Sequence, residues 1–216
     1  MLLLKDQLQY YASQFATTEL NGVFYRTPTP AAVKGWRQQS GDDFVFAWKA
    51  SKFITHWKRL SENSVNSLEL LEDRLSLLGD KAGPILFQLP PNFPADAGRI
   101  EAFIEMLSPR RRYSFEFRHQ SWYSPKILRL LSRQNISLCI SDHHDAPAPW
   151  KRTADFVYVR GHGPAAGIGG TTARTRYPNG PRGCAPGRNR AVTSTSISTT
   201  TRRARRRATR DGCGRW

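Results

Sequence analysis

Ionisable and amide side chains stand at the ends of short apolar runs along the first three quarters of this chain. Glu19 and Asn21 lie within Thr18–Tyr25, Lys49 within Phe44–Ala50 and Gln88 within Pro84–Leu89. Glu116 is the penultimate residue of the run Tyr113–Phe117, and Arg118 follows that run; Asp142 follows Ile136–Ser141; Arg160 ends Phe156–Arg160, with His162 two residues on. Carboxylates of this kind suit proton transfer or metal binding, which makes Glu19, Glu116 and Asp142 the catalytic candidates. Lys49, Arg118 and Arg160 suit the clamping of an anion. Asn21, Gln88, Trp122 and His162 complete the candidate ligand-binding set. So many ionisable groups are costly to bury alone, so they are expected to pair with each other or with a ligand. Glu116 and Arg118 are two apart and share a face if their segment is a strand. A plain charge network, Glu19 with Lys49 or Glu116 with Arg118, is the alternative for the charged groups, a backbone hydrogen bond for Gln88, and packing for Trp122 and Phe24. His143-His144 reads as a loop feature.

The elements that would position these groups alternate in kind. Helical patterns cover Gln7–Phe15, Pro30–Gln38, Glu62–Leu78, Ala95–Leu107 and Ser124–Arg133. The clearest has Val65, Leu68, Leu71, Leu75 and Leu78 recurring every three or four residues. The apolar runs between them read as six strands. Strands separated by helices imply right-handed crossovers and a parallel sheet. Such a sheet is either an open doubly wound one or an incomplete barrel, and in both the loops at the carboxyl ends of the strands carry function.

The chain has 216 residues and a formal net charge of +16. That charge is concentrated: Gly163–Trp216 holds twelve arginines against a single acid, Asp211, and the rest is only mildly basic. The same segment lacks Leu, Phe, Glu, Lys, Gln, His and Met, and reads as a disordered basic tail, or as an arm for nucleic acid. Three cysteines at irregular spacing (Cys139, Cys184, Cys213) form neither a disulfide framework nor a zinc site. No apolar run approaches the roughly 20 residues that cross a bilayer, and the start reads as no signal peptide. A soluble, cytoplasmic protein is the expectation. The chain carries no phosphate-cradling Gly-rich loop, nucleophile elbow or His-Glu-x-x-His pattern, and no cofactor or metal is assigned.

Several short stretches, in order and spacing, resemble the YecE-like family (domain-of-unknown-function family 72). They are Tyr10-Tyr11-Ala12 through Phe15, Thr18-Glu19-Leu20-Asn21-Gly22-Val23-Phe24-Tyr25, Lys49-Ala50 with Ile54-Thr55-His56, and Leu86-Phe87-Gln88-Leu89-Pro90. Phe115-Glu116-Phe117-Arg118-His119 with Trp122, Cys139-Ile140-Ser141-Asp142, and Tyr158-Val159-Arg160 with His162-Gly163-Pro164 complete the set. The resemblance implies a TIM-barrel-like α/β fold over residues 1–163, with 164–216 outside it.

Two features of that family are missing from the chain as read. Its first strand, with a Gly-Thr-Ser-Gly-Trp-like motif, is absent, and so is its last, which resembles Tyr-Val-Tyr-Phe-Asn-Asn-Asp. Taking the third base of each codon with the first two of the next permits Asp-Val-Tyr-Val-Tyr-Phe-Asn-Asn-Asp-Ala across Val192–Arg202. The expectation is therefore an incomplete barrel, lacking its first and last strands, followed by an out-of-frame translation. An inactive fragment with exposed sheet edges is the corresponding expectation for this chain. For the barrel itself two classes stand: an enzyme or binder of a small polar or phosphorylated ligand, and, as the alternative, a nucleic-acid-binding protein that uses the same cations and the basic tail.

Overall fold

The computed structural model describes residues 7–143 and 145–161, together with the two-residue strand Val192–Thr193. His144, His162 and the remainder of the arginine-rich segment lie outside the described residues, and so does the expectation of a disordered tail.

Five helices and seven strands are present among the described residues, alternating as far as the fifth strand. They are α1 (Gln7–Gln14), β1 (Thr17–Leu20), α2 (Pro30–Gln39), β2 (Val45–Lys49), α3 (Val65–Ser76) and β3 (Ala82–Gln88). There follow α4 (Ala97–Glu105), β4 (Tyr113–Glu116), α5 (Pro125–Arg133), β5 (Ser137–Ser141), β6 (Tyr158–Arg160) and β7 (Val192–Thr193). All neighbouring strands pair in parallel and in sequence order. Tyr158 on β6 nevertheless touches Glu19 on β1, at 2.7 Å. Strands five places apart in a sheet can meet only if the sheet curls, so this is a half-barrel with helices outside it. Among the described residues, no helix is long and apolar enough to cross a membrane.

Local chemistry explains where the helices start. Pro30 and Pro125 occupy first-turn positions where no amide donor is needed, and Thr29, Asp96 and Ser124 cap the following turns of α2, α4 and α5 with their side-chain oxygens. At the far end of α2, the buried Lys81 donates to the carbonyls of Arg37 and Ser40, both at 2.8 Å. A lysine there satisfies carbonyls that the helix leaves unpaired and meets the negative end of its dipole.

The sheet has two unlike faces. Leu20, Phe46, Trp48, Ile85, Phe87, Phe115, Phe117 and Leu138 face outward and bury against the helices in the main core. Phe87, Phe115, Phe117 and Trp122 form a chain of aromatic contacts, with ring centroids 4.9–6.0 Å apart. The inner face carries Glu19, Ala47, Lys49, Leu86, Gln88, Ser114, Glu116, Cys139, Ser141, Tyr158 and Arg160, which the ladder register places side by side. Strand parity sorts the chain this way: every second residue points inward, and those residues are mostly polar or small.

The sequence-based boundaries shift by a few residues at most strand and helix ends. Two differences go further. Residues Gly22–Phe24 and Glu62–Ser64, expected to continue a strand and to open a helix, are single tight turns instead. Phe15, expected to end the first helix, is half exposed just beyond α1 and rests on Tyr11. Strand β7 was not expected from the sequence. Its Val-Thr-Ser-Thr surroundings are rich in β-branched residues that suit a pleated strand, although the segment lacks the apolar alternation by which strands are recognised.

Where β2 meets β3 the register shifts between Phe46 and Trp48. Gly83 permits this: a Cβ there would stand 2.5 Å from Val45 Cγ1 and 2.9 Å from the Phe46 carbonyl oxygen. Gly83→Ala is therefore expected to destabilise the fold by about 1–3 kcal/mol, the usual cost of overpacking. Urea unfolding checks this, and an unchanged midpoint would show that the two strands do not approach so closely.

Candidate functional site

The inner face ends in a mouth at the carboxyl ends of β1–β6, and Arg160 occupies its centre. From β6 its Nη1 donates to Glu116 Oε2 on β4 at 2.5 Å, and its Nη2 to Glu19 Oε1 on β1 at 2.8 Å. Longer contacts of 3.4 Å reach Gln88 Oε1 and Asn21 Oδ1. Tyr158 Oη donates to the other Glu19 oxygen, and Arg118 Nε donates to the other Glu116 oxygen at 3.1 Å. Both carboxylates are thus held on both oxygens, and their side chains are fully buried. Burial works against the charge of Arg160, but Glu116 and Glu19 outweigh it and raise its pKa above the usual arginine range. The Arg160 Nε–H is buried without a hydrogen-bond partner among the described residues.

Lys49 sits differently. It ends β2 on the same inner face, 8% exposed, with its Nζ 4.3 Å from the centroid of the Phe24 ring. No hydrogen bond or ion pair holds its ammonium among the described residues. Burial, together with the charges of Arg160 and Arg118, lowers its pKa to about 8, against the opposing pull of Glu116 and Glu19. His56, in the five-residue π-helical turn Phe53–Trp57 that follows β2, packs edge-on against Phe24 and lies 2.9 Å through Nδ1 from the Thr55 hydroxyl. Its pKa falls to about 4 through burial and the cations Lys52, Lys49, Arg118 and Arg59. One flank of the mouth is therefore strongly cationic, with a neutral imidazole inside it. Cys139, fully buried below, has its thiol pushed up by burial and stays protonated.

Seven of the ten residues singled out from the sequence come together here: Glu19, Asn21, Lys49, Gln88, Glu116, Arg118 and Arg160. Asp142 lies exposed at the rim, one residue beyond β5, near Gly161. Trp122 is not brought to the mouth. It is fully buried in the outer layer, stacked on Phe117, and its Nε1 donates to the Phe93 carbonyl at 2.6 Å. His162 lies outside the described residues. The carboxylates Glu19 and Glu116, candidates for metal or acid–base work, are engaged by arginines and a tyrosine. Among the described residues no group of three His, Cys, Asp or Glu is placed to hold a metal ion.

Sequence reasoning did not select Tyr158 or His56 for the site. Tyr158 was recoverable, because it stands two residues before Arg160 and must share its face. His56 had no such signal, since its π-helical turn follows neither strand nor helix periodicity.

Two substitutions separate the roles of these groups. Arg160→Met leaves buried Glu19 without a cation and Glu116 with Arg118 alone, and is expected to cost about 3–5 kcal/mol, measured by denaturant unfolding. Lys49→Met removes a charge that the fold disfavours. The folded pKa of about 8 lies below the unfolded 10.5, so the cost is complete below pH 8 and fades as pH rises towards 10.5. The variant should be the more stable at pH 7, with the difference shrinking across that window; a lead that is constant with pH would sink this account.

The sequence profile of the family described as protein of unknown function DUF72 matches residues 2–195. The chain is 32% identical over 118 residues to the UPF0759 protein YecE of Escherichia coli strain K12, covering 54% of this chain and 43% of that one. It is 28% identical over 130 residues to the UPF0759 protein YunF of Bacillus subtilis strain 168, covering 56% and 45%. The chain thus spans less than half the length of these curated relatives. Among solved structures, a DUF72 family protein of Thermotoga maritima superposes with a TM-score of 0.66 at 24% identity, over 76% of this chain and 67% of that one. One from Enterococcus faecalis does so with a TM-score of 0.65 at 21% identity, over 74% and 64%. At these identities the likeness is one of fold.

Proposed function

This chain belongs to the DUF72 family, and on that footing we propose that the mouth of its half-barrel binds a small phosphorylated ligand. The observation that carries this reading is Lys49: a buried ammonium on the inner face, with no anionic partner within hydrogen-bond reach among the described residues. A buried cation without a counter-charge is costly, and a ligand anion would remove that cost. The balance of charge around it agrees in sign. Glu19 and Glu116 oppose Arg160, Arg118 and Lys49 itself, and Lys52 and Arg59 add positive field on the His56 side. The buried Arg160 Nε–H is a further donor in want of an acceptor.

Calorimetric titration with glycerol 3-phosphate tests the proposal. An anion favours protonated Lys49, so affinity should hold below pH 8 and then weaken by up to about tenfold per pH unit above it. Lys49→Met should abolish that pH dependence and weaken binding at pH 7. Absence of binding, or binding indifferent to both pH and this substitution, would overturn the reading.

A second reading draws on exposed aromatics in the loops after β1 and β2. Tyr25, Phe53 and Trp57 are exposed, and Arg26, Lys52, Lys58 and Arg59 are interleaved with them. That pattern suits stacking against single-stranded nucleic acid. The two readings differ in salt dependence, which is shallow for one phosphate and steep for a strand that contacts many cations.

A further inference from the structure

We propose that Lys49 is an amine nucleophile, and that the phosphorylated ligand of this mouth is an aldehyde or ketone that Lys49 captures as an imine. This deepens the preceding reading and rests on it. Three geometric facts carry it. Lys49 stands at the carboxyl end of a barrel strand, on the inner face at the mouth. Its Nζ lies over the Phe24 ring and is tied to no carboxylate among the described residues, so no ion pair must break before it reacts. The two carboxylates of the mouth, Glu19 and Glu116, are held by Arg160, Tyr158 and Arg118 instead. The weak hold on its proton supports the same role, since an amine attacks only as the free base.

The chemistry balances without an oxidant or reductant. The ammonium first gives one proton to solvent. The nitrogen lone pair forms the C–N bond while the carbonyl π pair moves to oxygen, and a proton passes from nitrogen to that oxygen. A proton then returns to the hydroxyl, the nitrogen lone pair forms the C=N bond, and the C–O bond breaks to release water. The product is a protonated imine, whose positive charge the neighbouring Glu19 and Glu116 partly offset. Arg118 and Arg160 offer the positive field that a phosphate group on the same molecule would meet.

The full chain is incubated at pH 8 with glyceraldehyde 3-phosphate and cyanoborohydride, which reduces an imine to a stable secondary amine, and labelled lysines are mapped by peptide mass spectrometry. At that pH about half of Lys49 is free base, against well under 1% of a lysine with the ordinary value of 10.5. Labelling of Lys49 should therefore exceed that of the exposed Lys34, Lys126 and Lys151 by about tenfold or more, and inorganic phosphate should suppress it. Equal labelling of all four would overturn the proposal. Lys49→Arg, checked for folding by circular dichroism, should lose the selective label. Binding of glycerol 3-phosphate by the native chain without selective labelling rejects the amine chemistry alone. If neither binding nor labelling occurs, the anion-site reading falls with it.

Discussion

One guanidinium organises the mouth of this half-barrel. Arg160 bonds to carboxylates on β1 and β4 and reaches an amide on β3, so three strands converge on a single planar cation. A flat, forked cation fits such a junction, because two of its nitrogens face two different acids and each acid has its second oxygen engaged elsewhere. A buried ion pair rarely adds much stability, because taking the charges out of water costs about what their attraction returns. What this arrangement supplies is position. Glu19 and Arg160 are 141 residues apart in sequence, and their contact fixes the curl of the sheet at its open end.

The division of labour between the two sheet faces follows from that arrangement. Stability comes from outside, where Phe46, Phe87, Phe115 and Phe117 pack against helices and one another. The inside is left to polar groups. It holds only a small apolar cluster of Ala47, Leu86, Cys139, Ala154, Phe156 and Tyr158. Lys49 shows the tension: the fold works against its charge and retains it, which is the pattern expected where a residue serves the site at the expense of stability.

Much of this was legible in the sequence, and the reasons differ by residue. Lys49, Gln88, Glu116 and Arg160 stood out because a charge or amide at the end of an apolar run falls where a parallel sheet collects its functional groups. Period-two parity then put Glu116 and Arg118 on one side of their strand. Trp122 was open either way, because a large aromatic in a loop after a strand looks equally apt for ligand contact and for packing; its burial and its acceptor at Phe93 are visible only in the fold. Partners from distant elements could not be read. That Tyr158 meets Glu19, or that Lys81 closes the end of α2, depends on curvature and on helix placement, which are properties of the whole sheet. The family resemblance carried the step from a parallel sheet to a barrel, which periodicity alone left open.

The sequence separation across the Arg160 network has a consequence for synthesis. A chain emerging from the ribosome exposes β1 through β5 and most of the outer apolar layer long before residue 160 appears. Until then Glu19 has no guanidinium to meet and Glu116 has only Arg118, and folding that buried them would leave negative charge uncompensated. The outer layer can condense early, but the interior must stay wet until the sixth strand arrives. The order of assembly is thus written into the position of one arginine: scaffold first, mouth last.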